Sequence, residues 1–228
     1  MDRDDPAYKG QSGYNRWLLK VYDRLIIGRI GPFVWRVPGA PLLDNYRRNI
    51  RDGHLDVGPG TGWFLLRSGL ADGARLTIMD PNTTVLDFAA AKLGRFDLEV
   101  VEADVCKPLP MTGPFQSAAI NLVIHCLRGP QSRKADAVAH VASVLAPGGV
   151  LFGATVLGEA GPHSWLARRV LHAFNRQGGF DNLDDSETAV RAMLEAAFRQ
   201  VQIEIVGSVA IFEARDPIRS MATSASTT

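Results

Sequence analysis

The stretch His54-Leu55-Asp56-Val57-Gly58-Pro59-Gly60-Thr61-Gly62-Trp63-Phe64-Leu65 constrains the fold of this chain more than any other. A short apolar run followed by glycine at alternate positions reads as a buried strand, a tight loop and the start of a helix. Glycine at 58, 60 and 62 lets the backbone turn sharply and come close to a ligand. A helix over residues 63–70 would aim unpaired N–H groups and a partial positive charge at whatever sits in the turn. Asp56 adds a carboxylate at the lip of the strand. The loop therefore pairs an anion receptor with a cation receptor. A zwitterionic amino acid needs both; a dinucleotide needs only the first.

From His54 onward strands and helices alternate. Strands are predicted over residues 54–57, 75–79, 97–101, 117–121 and 150–156, with helices over 63–70, 83–93 and 132–145 between them. Such alternation calls for a parallel sheet covered on both faces. The chain closes differently. A helix with Leu166, Val170, Ala173 and Phe174 on one side ends at Gly178-Gly179, and a polar loop follows in which Asp184 and Glu187 could form a capping box. After a helix showing Val190, Met193, Leu194, Ala197 and Phe198, strands over 201–206 and 208–214 are separated by Gly207 alone. That is too short for a parallel crossover, so they must form an antiparallel hairpin.

Ahead of the glycine loop, Tyr14, Trp17, Leu18, Val21, Tyr22, Leu25 and Ile26 fall at helical spacing. A short segment over 33–37 and a helix over 40–49, with Leu42, Leu43 and Tyr46 on one face, complete a leader of fifty residues. It reads equally as a cover for the sheet edge and as a lid over a pocket. Residues 1–13 and the Ser/Thr/Ala-rich end are expected to be disordered.

Composition excludes several partners. A formal net charge of +1 gives no basic field for nucleic acid. No apolar run reaches membrane-spanning length, and Met1-Asp2-Arg3-Asp4-Asp5 lacks the order of a secretion signal. Cys106 and Cys126 have no metal-ligand spacing and read as reduced thiols, so a cytoplasmic protein is expected.

A dinucleotide fingerprint would need a third glycine where Trp63 stands, counting from Gly58, or where Leu65 stands, counting from Gly60. Asp80, at the end of the second strand, suits ribose hydroxyls on either ligand, and Glu102-Ala103-Asp104 at the end of the third suits an adenine amino group. Asp56-Val57-Gly58-Pro59-Gly60-Thr61-Gly62, Asp80, Asp104 and Leu145-Ala146-Pro147-Gly148-Gly149 together resemble the class I S-adenosylmethionine-dependent methyltransferases of the small-molecule type. The resemblance covers residues 50–214 in order. It implies an α/β, Rossmann-like, seven-stranded, mostly parallel sheet with an antiparallel last strand, helices on both faces and an N-terminal helical lid. Residues 1–50 would be that lid, 51–216 the methyltransferase domain and 217–228 a tail.

The same resemblance implies S-adenosyl-L-methionine as cofactor and S-adenosyl-L-homocysteine as product. Gly58, Gly60 and Gly62 with Asp56 would hold its methionine end, Asp80 with Pro81 and Asn82 the ribose, and Asp104 with Val105 the adenine. Asn121 would face the reactive end, and Tyr22 resembles a leader tyrosine that reaches the cofactor in quinone-type relatives. His125 is the candidate base or substrate contact, against a reading as pocket lining. His54 and His140 read as structural, whereas the segment holding His163, Trp165, His172, Phe174 and Asn175 is expected to line the pocket.

Two departures narrow the chemistry. Gln116 replaces the usual acid at the start of the fourth strand, and Asn121-Leu122-Val123-Ile124 replaces the Pro-Pro-aromatic run of enzymes that methylate base amines. No acidic pair for a catechol-type metal is present. The expected activity is metal-independent methyl transfer to a small aromatic or apolar metabolite, by a monomer or homodimer. The other readings are an RNA or protein methyltransferase, and a non-methylating member that performs a cyclisation or rearrangement.

Overall fold

A computed structural model describes residues 23–219. Tyr22, the part of the predicted helix up to it and the Ser/Thr/Ala-rich end beyond Arg219 lie outside the described residues. Seven strands form one sheet in the order β3-β2-β1-β4-β5-β7-β6: β1 (His54–Val57), β2 (Arg75–Asp80), β3 (Asp97–Glu102), β4 (Phe115–Asn121), β5 (Leu145–Val156), β6 (Phe198–Val206) and β7 (Val209–Pro217). Neighbours β1 to β5 pair in parallel, and β7 runs antiparallel to both β5 and β6. The hairpin predicted around Gly207 is present, its turn taken at a φ of 58°.

The central strands β1, β2, β4 and β5 are buried because helices cover both faces of the sheet, whereas the edge strands β3 and β6 are largely exposed. On one side α3 (Gln131–Val144) lays Ala137, Val138 and Val141 against Leu55, Ile120 and Leu151, and α5 (Glu187–Glu195) adds Val190, Met193 and Leu194. On the other, α2 (Thr83–Leu93) packs Leu86, Ala89 and Leu93 on Leu76, Ile78 and Phe152. The described part of the leader is a π-wound segment, Asp23–Trp35, followed by α1 (Gly39–Asn49). With α4 (Trp165–Gln177) it covers the β5 and β7 end through Trp35, Leu42, Ala167 and Leu171.

Three local expectations are corrected. No α-helix follows the glycine loop; residues Leu65–Arg67 form a single 3-10 turn. Gly62 and Gly69 both take left-handed φ, +73° and +87°, and the few residues between them cannot repay helix nucleation. The helix dipole expected at the loop is therefore absent. On α4 the buried residues are Ala167 and Leu171, while Leu166 is 42% exposed. The cap of α5 is Ser186, whose Oγ accepts from Ala189 N–H at 3.1 Å; Asp184 lies two residues ahead of that cap, in a turn where its backbone carbonyl accepts from Ser186 N–H at 2.9 Å.

The loop that joins α4 to α5 is pinned by a buried charge. Lys134 Nζ, on α3, sits 2.7 Å from both Asp185 oxygens and also donates to the Asp181 carbonyl. Both side chains are wholly buried. Burial pushes the Asp185 carboxyl up against the pull of Lys134. A buried pair contributes little when whole, but losing one partner strands the other charge. Lys134→Met or Asp185→Asn should each cost about 3–5 kcal/mol in urea unfolding. The double change Lys134→Met/Asp185→Leu should cost much less, and equal losses in all three variants would contradict this account.

Candidate active site

Two adjoining cavities lie at the carboxyl ends of the parallel strands. The first runs from the loop after β1 past the ends of β2 and β3 and back to the end of β4. Gly58, Gly60, Asp80, Pro81, Asp104, Val105 and Asn121 all line it. Of the remaining predicted residues, Asp56, Gly62 and Asn82 stand one layer behind. Gly62 packs against Leu93 of α2, and Asn82 caps α2 by accepting from Thr84 N–H at 2.9 Å.

The loop needs its glycines for different reasons. Gly58 has φ +70°, and a Cβ there would lie 2.5 Å from Val123 Cγ2 across the cleft. Gly60, at φ +55°, has no atom within 4 Å of a would-be Cβ, so the space above the loop is open. Across from it the chain leaves β4 through Leu122, whose φ of +59° is strained for a branched residue. A 2.7 Å hydrogen bond from Leu122 N–H to the Ala154 carbonyl holds that conformation.

Carboxylates punctuate the cavity. Asp80 is 8% exposed, and its Oδ1 accepts from Asn82 N–H at 2.8 Å. Desolvation pushes its carboxyl up to about 7. Asp104 Oδ1 accepts from Cys106 N–H at 2.9 Å, and Arg133 lies 3.4 Å from Oδ2. Asp56 is fully buried behind the loop. Tyr46 Oη donates to its Oδ2 at 2.9 Å and His54 Nε2 stands 3.5 Å away, while Oδ1 has no partner among the described residues. His54 itself is anchored through Nδ1 to Ser117 Oγ at 2.8 Å.

The second cavity is apolar and opens beside the first, sharing Leu122 and Cys126 with it. Its walls come from Trp35, Val37 and Leu42 of the leader, Val156 and Val209 of the sheet, and Phe174 and Phe180. His125 lines this cavity, within the 3-10 turn Ile124–Cys126. Its Nδ1 accepts from Val156 N–H and lies at the same 3.3 Å from Thr155 Oγ1. Burial, and secondarily the Lys134 charge, press the imidazole down to about 3, so the ring is neutral. Burial likewise drives the Cys126 thiol up to about 12.

Within the segment expected to line a pocket, only Phe174 among the residues singled out does so. Trp165 is 74% exposed. His163 Nε2 lies within hydrogen-bond reach of the carbonyls of Leu157 and Gly158, His172 meets Glu159, and Asn175 bridges to Asn182. Phe180, Leu122 and Arg128 carried no motif, and only the folded loops bring them to the cavities.

The methyltransferase-domain family matches residues 55–153, the span from β1 to β5. The chain is 34% identical to the physcion biosynthesis cluster O-methyltransferase of Aspergillus chevalieri, over 95% of this chain and 99% of that one. The chain belongs to the class I S-adenosylmethionine-dependent methyltransferases. S-adenosyl-L-methionine is the cofactor of this methyltransferase, and its acceptor is a small metabolite. It is also 32% identical to N-methyltransferase vrtF of Penicillium aethiopicum, over 93% of this chain and 90% of that one. In fold it matches N-methyltransferase NodS of Bradyrhizobium japonicum, solved with S-adenosyl-L-homocysteine, at a TM-score of 0.58 and 17% identity over 78% of this chain and 85% of that one. No helix among the described residues is long and apolar enough to cross a membrane.

The cleft suits this cofactor. Open space above Gly60, an orphaned buried oxygen on Asp56 and a desolvated carboxylate at Asp80 are what a ligand carrying an ammonium, a diol and an aromatic amine would satisfy. Gly58→Ala should cost about 1–3 kcal/mol in thermal unfolding, through strained φ and the clash with Val123. Adding Val123→Ala should return the clash component and leave the strain. An unchanged melting temperature in the single variant would contradict that reading.

Proposed function

We propose that the first cavity holds the cofactor and the second holds an aromatic or apolar acceptor, the two meeting at Leu122 and Cys126. The observation that carries this reading is the continuity of a carboxylate-edged cleft with an apolar, aromatic-walled one. Gly58 and Gly60 then cradle the methionine end, with Asp56 beneath them serving its ammonium. Asp80 and Pro81 serve the ribose, and Asp104 with Val105 the adenine. Gly62 and Asn82 act at one remove, shaping the loop and fixing Asp80. Asn121 stands beside the reactive end.

Bound there, S-adenosyl-L-methionine supplies a methyl group already activated on a sulfonium. The protein's own part is alignment and exclusion of water. Trp35, Phe174 and Phe180 offer flat apolar walls to an aromatic acceptor, with Phe174 and Phe180 stacked at 4.8 Å. Residues 23–49 act as the lid, since Trp35, Val37 and Leu42 form one wall of the acceptor cavity. We place the enzyme in the cytoplasm, where free thiols such as Cys106 and Cys126 stay reduced. The net charge of +1 favours a small acceptor over RNA.

Incubation with methyl-deuterated cofactor and separate pools of small phenols, small amines, bulk RNA and protein should label the small molecules. Label confined to RNA or protein would overturn the reading. Asp80 supplies a second test. The ionised carboxylate accepts two hydroxyl hydrogens and the protonated one loses an acceptor. Affinity for the cofactor should therefore fall as pH drops below about 7. Asp80→Asn should weaken binding at pH above 7 by about 10- to 100-fold in calorimetry and remove that pH dependence. Unchanged affinity would remove Asp80 from the ribose role.

A further inference from the structure

His125 faces the acceptor cavity with its tautomer already decided. Val156 N–H can only donate, so Nδ1, 3.3 Å away, must accept. The Thr155 hydroxyl lies at the same distance from the same atom. The lone pair of the neutral ring is thus spent on β5, and the proton sits on Nε2. The surroundings keep it that way. Lys134 of α3 places a positive charge nearby, bound to Asp185 and the Asp181 carbonyl of the loop; Cys126 carries a protonated thiol; the Phe180 ring stands 4.4 Å away.

A ring fixed in this state donates a hydrogen bond and does not collect a proton. Resting on the assignment of this cavity to the acceptor, we propose that His125 is a fixed Nε2–H donor to an anionic acceptor oxygen, so that the methyltransferase selects phenols and enols acidic enough to enter as their oxyanions. The oxygen lone pair forms the new O–C bond while the C–S bond breaks toward sulfur. One negative and one positive charge are consumed together, leaving a methyl ether and a thioether, and no proton leaves the site. The Nε2–H orients the oxygen and offsets part of the cost of bringing its charge into an apolar cavity.

The test uses the full chain saturated with S-adenosyl-L-homocysteine, which fills the cleft without a transferable methyl. 4-Nitrophenol, coloured only when ionised, is titrated in the complex. It should ionise about one pH unit lower than free in solution. His125→Leu should abolish the shift, and His125→Gln, which keeps an N–H donor, should retain part of it. In turnover with a series of para-substituted phenols, the break in the pH–rate profile should move with each phenol's own ionisation. If His125→Leu does not fold, this series on the unaltered protein still decides. Binding of 4-nitrophenol as the neutral phenol, or a break at one fixed pH for every phenol, would overturn the proposal and leave the acceptor cavity standing. Failure of every phenol to bind would overturn both.

Discussion

Strands β1 and β4 lie side by side, yet the chain leaves them in opposite directions. After β1 it turns toward β2 and β3; after β4 it turns toward β5. A right-handed parallel sheet that reverses its winding must open a crevice where the two exits part. Parallel pairing then brings the carboxyl ends to one edge: Val57 is level with Met79 and Ile120, and Asp80 with Glu102. Asp80, Asp104 and Asn121, which line the first cavity, all stand at or just beyond that edge. The closeness of Gly58 to Val123 and the strained turn at Leu122 both follow from two exits crowding one opening.

Buried polar pairs tie the later-added segments to this frame. Tyr46 of α1 reaches Asp56 beneath the glycine loop and stacks on Phe64 at 5.1 Å. The segment that walls the second cavity is thereby coupled to the floor beneath the glycine loop. On the far side, Lys134 and Asp185 fix the loop that carries Phe180, and Asp181 N–H donates to the His125 carbonyl at 2.9 Å. Both cavities thus share walls whose positions are set by buried charge and not by apolar packing alone.

The sheet was legible because its central strands are buried on both faces and bounded by glycine, proline and acidic residues at strand ends; β1 and α2 fall within the predicted ranges. Asp80, Asp104 and the glycine loop were legible because strand ends carry motif spacing. The helix after that loop was misread because apolar periodicity over 63–70 says nothing of left-handed φ at Gly62 and Gly69. The second, apolar cavity was legible only as a region. Trp35, Phe174 and Phe180 meet through tertiary packing and share no spacing in sequence. His125 was visible as a candidate, but its fixed tautomer depends on Val156 N–H, a backbone group thirty-one residues away.

Two cavities with different chemistry meet at Leu122 and Cys126, and the proposed reaction places the transferable group between them. A crystal structure of the protein with S-adenosyl-L-homocysteine tests this most directly. Adenine is expected beside Asp104 and Val105, the amino-acid end over Gly58 and Gly60, and sulfur turned toward Leu122 and the second cavity. A molecule seated in the reverse direction, or with its sulfur turned away from that junction, would contradict it.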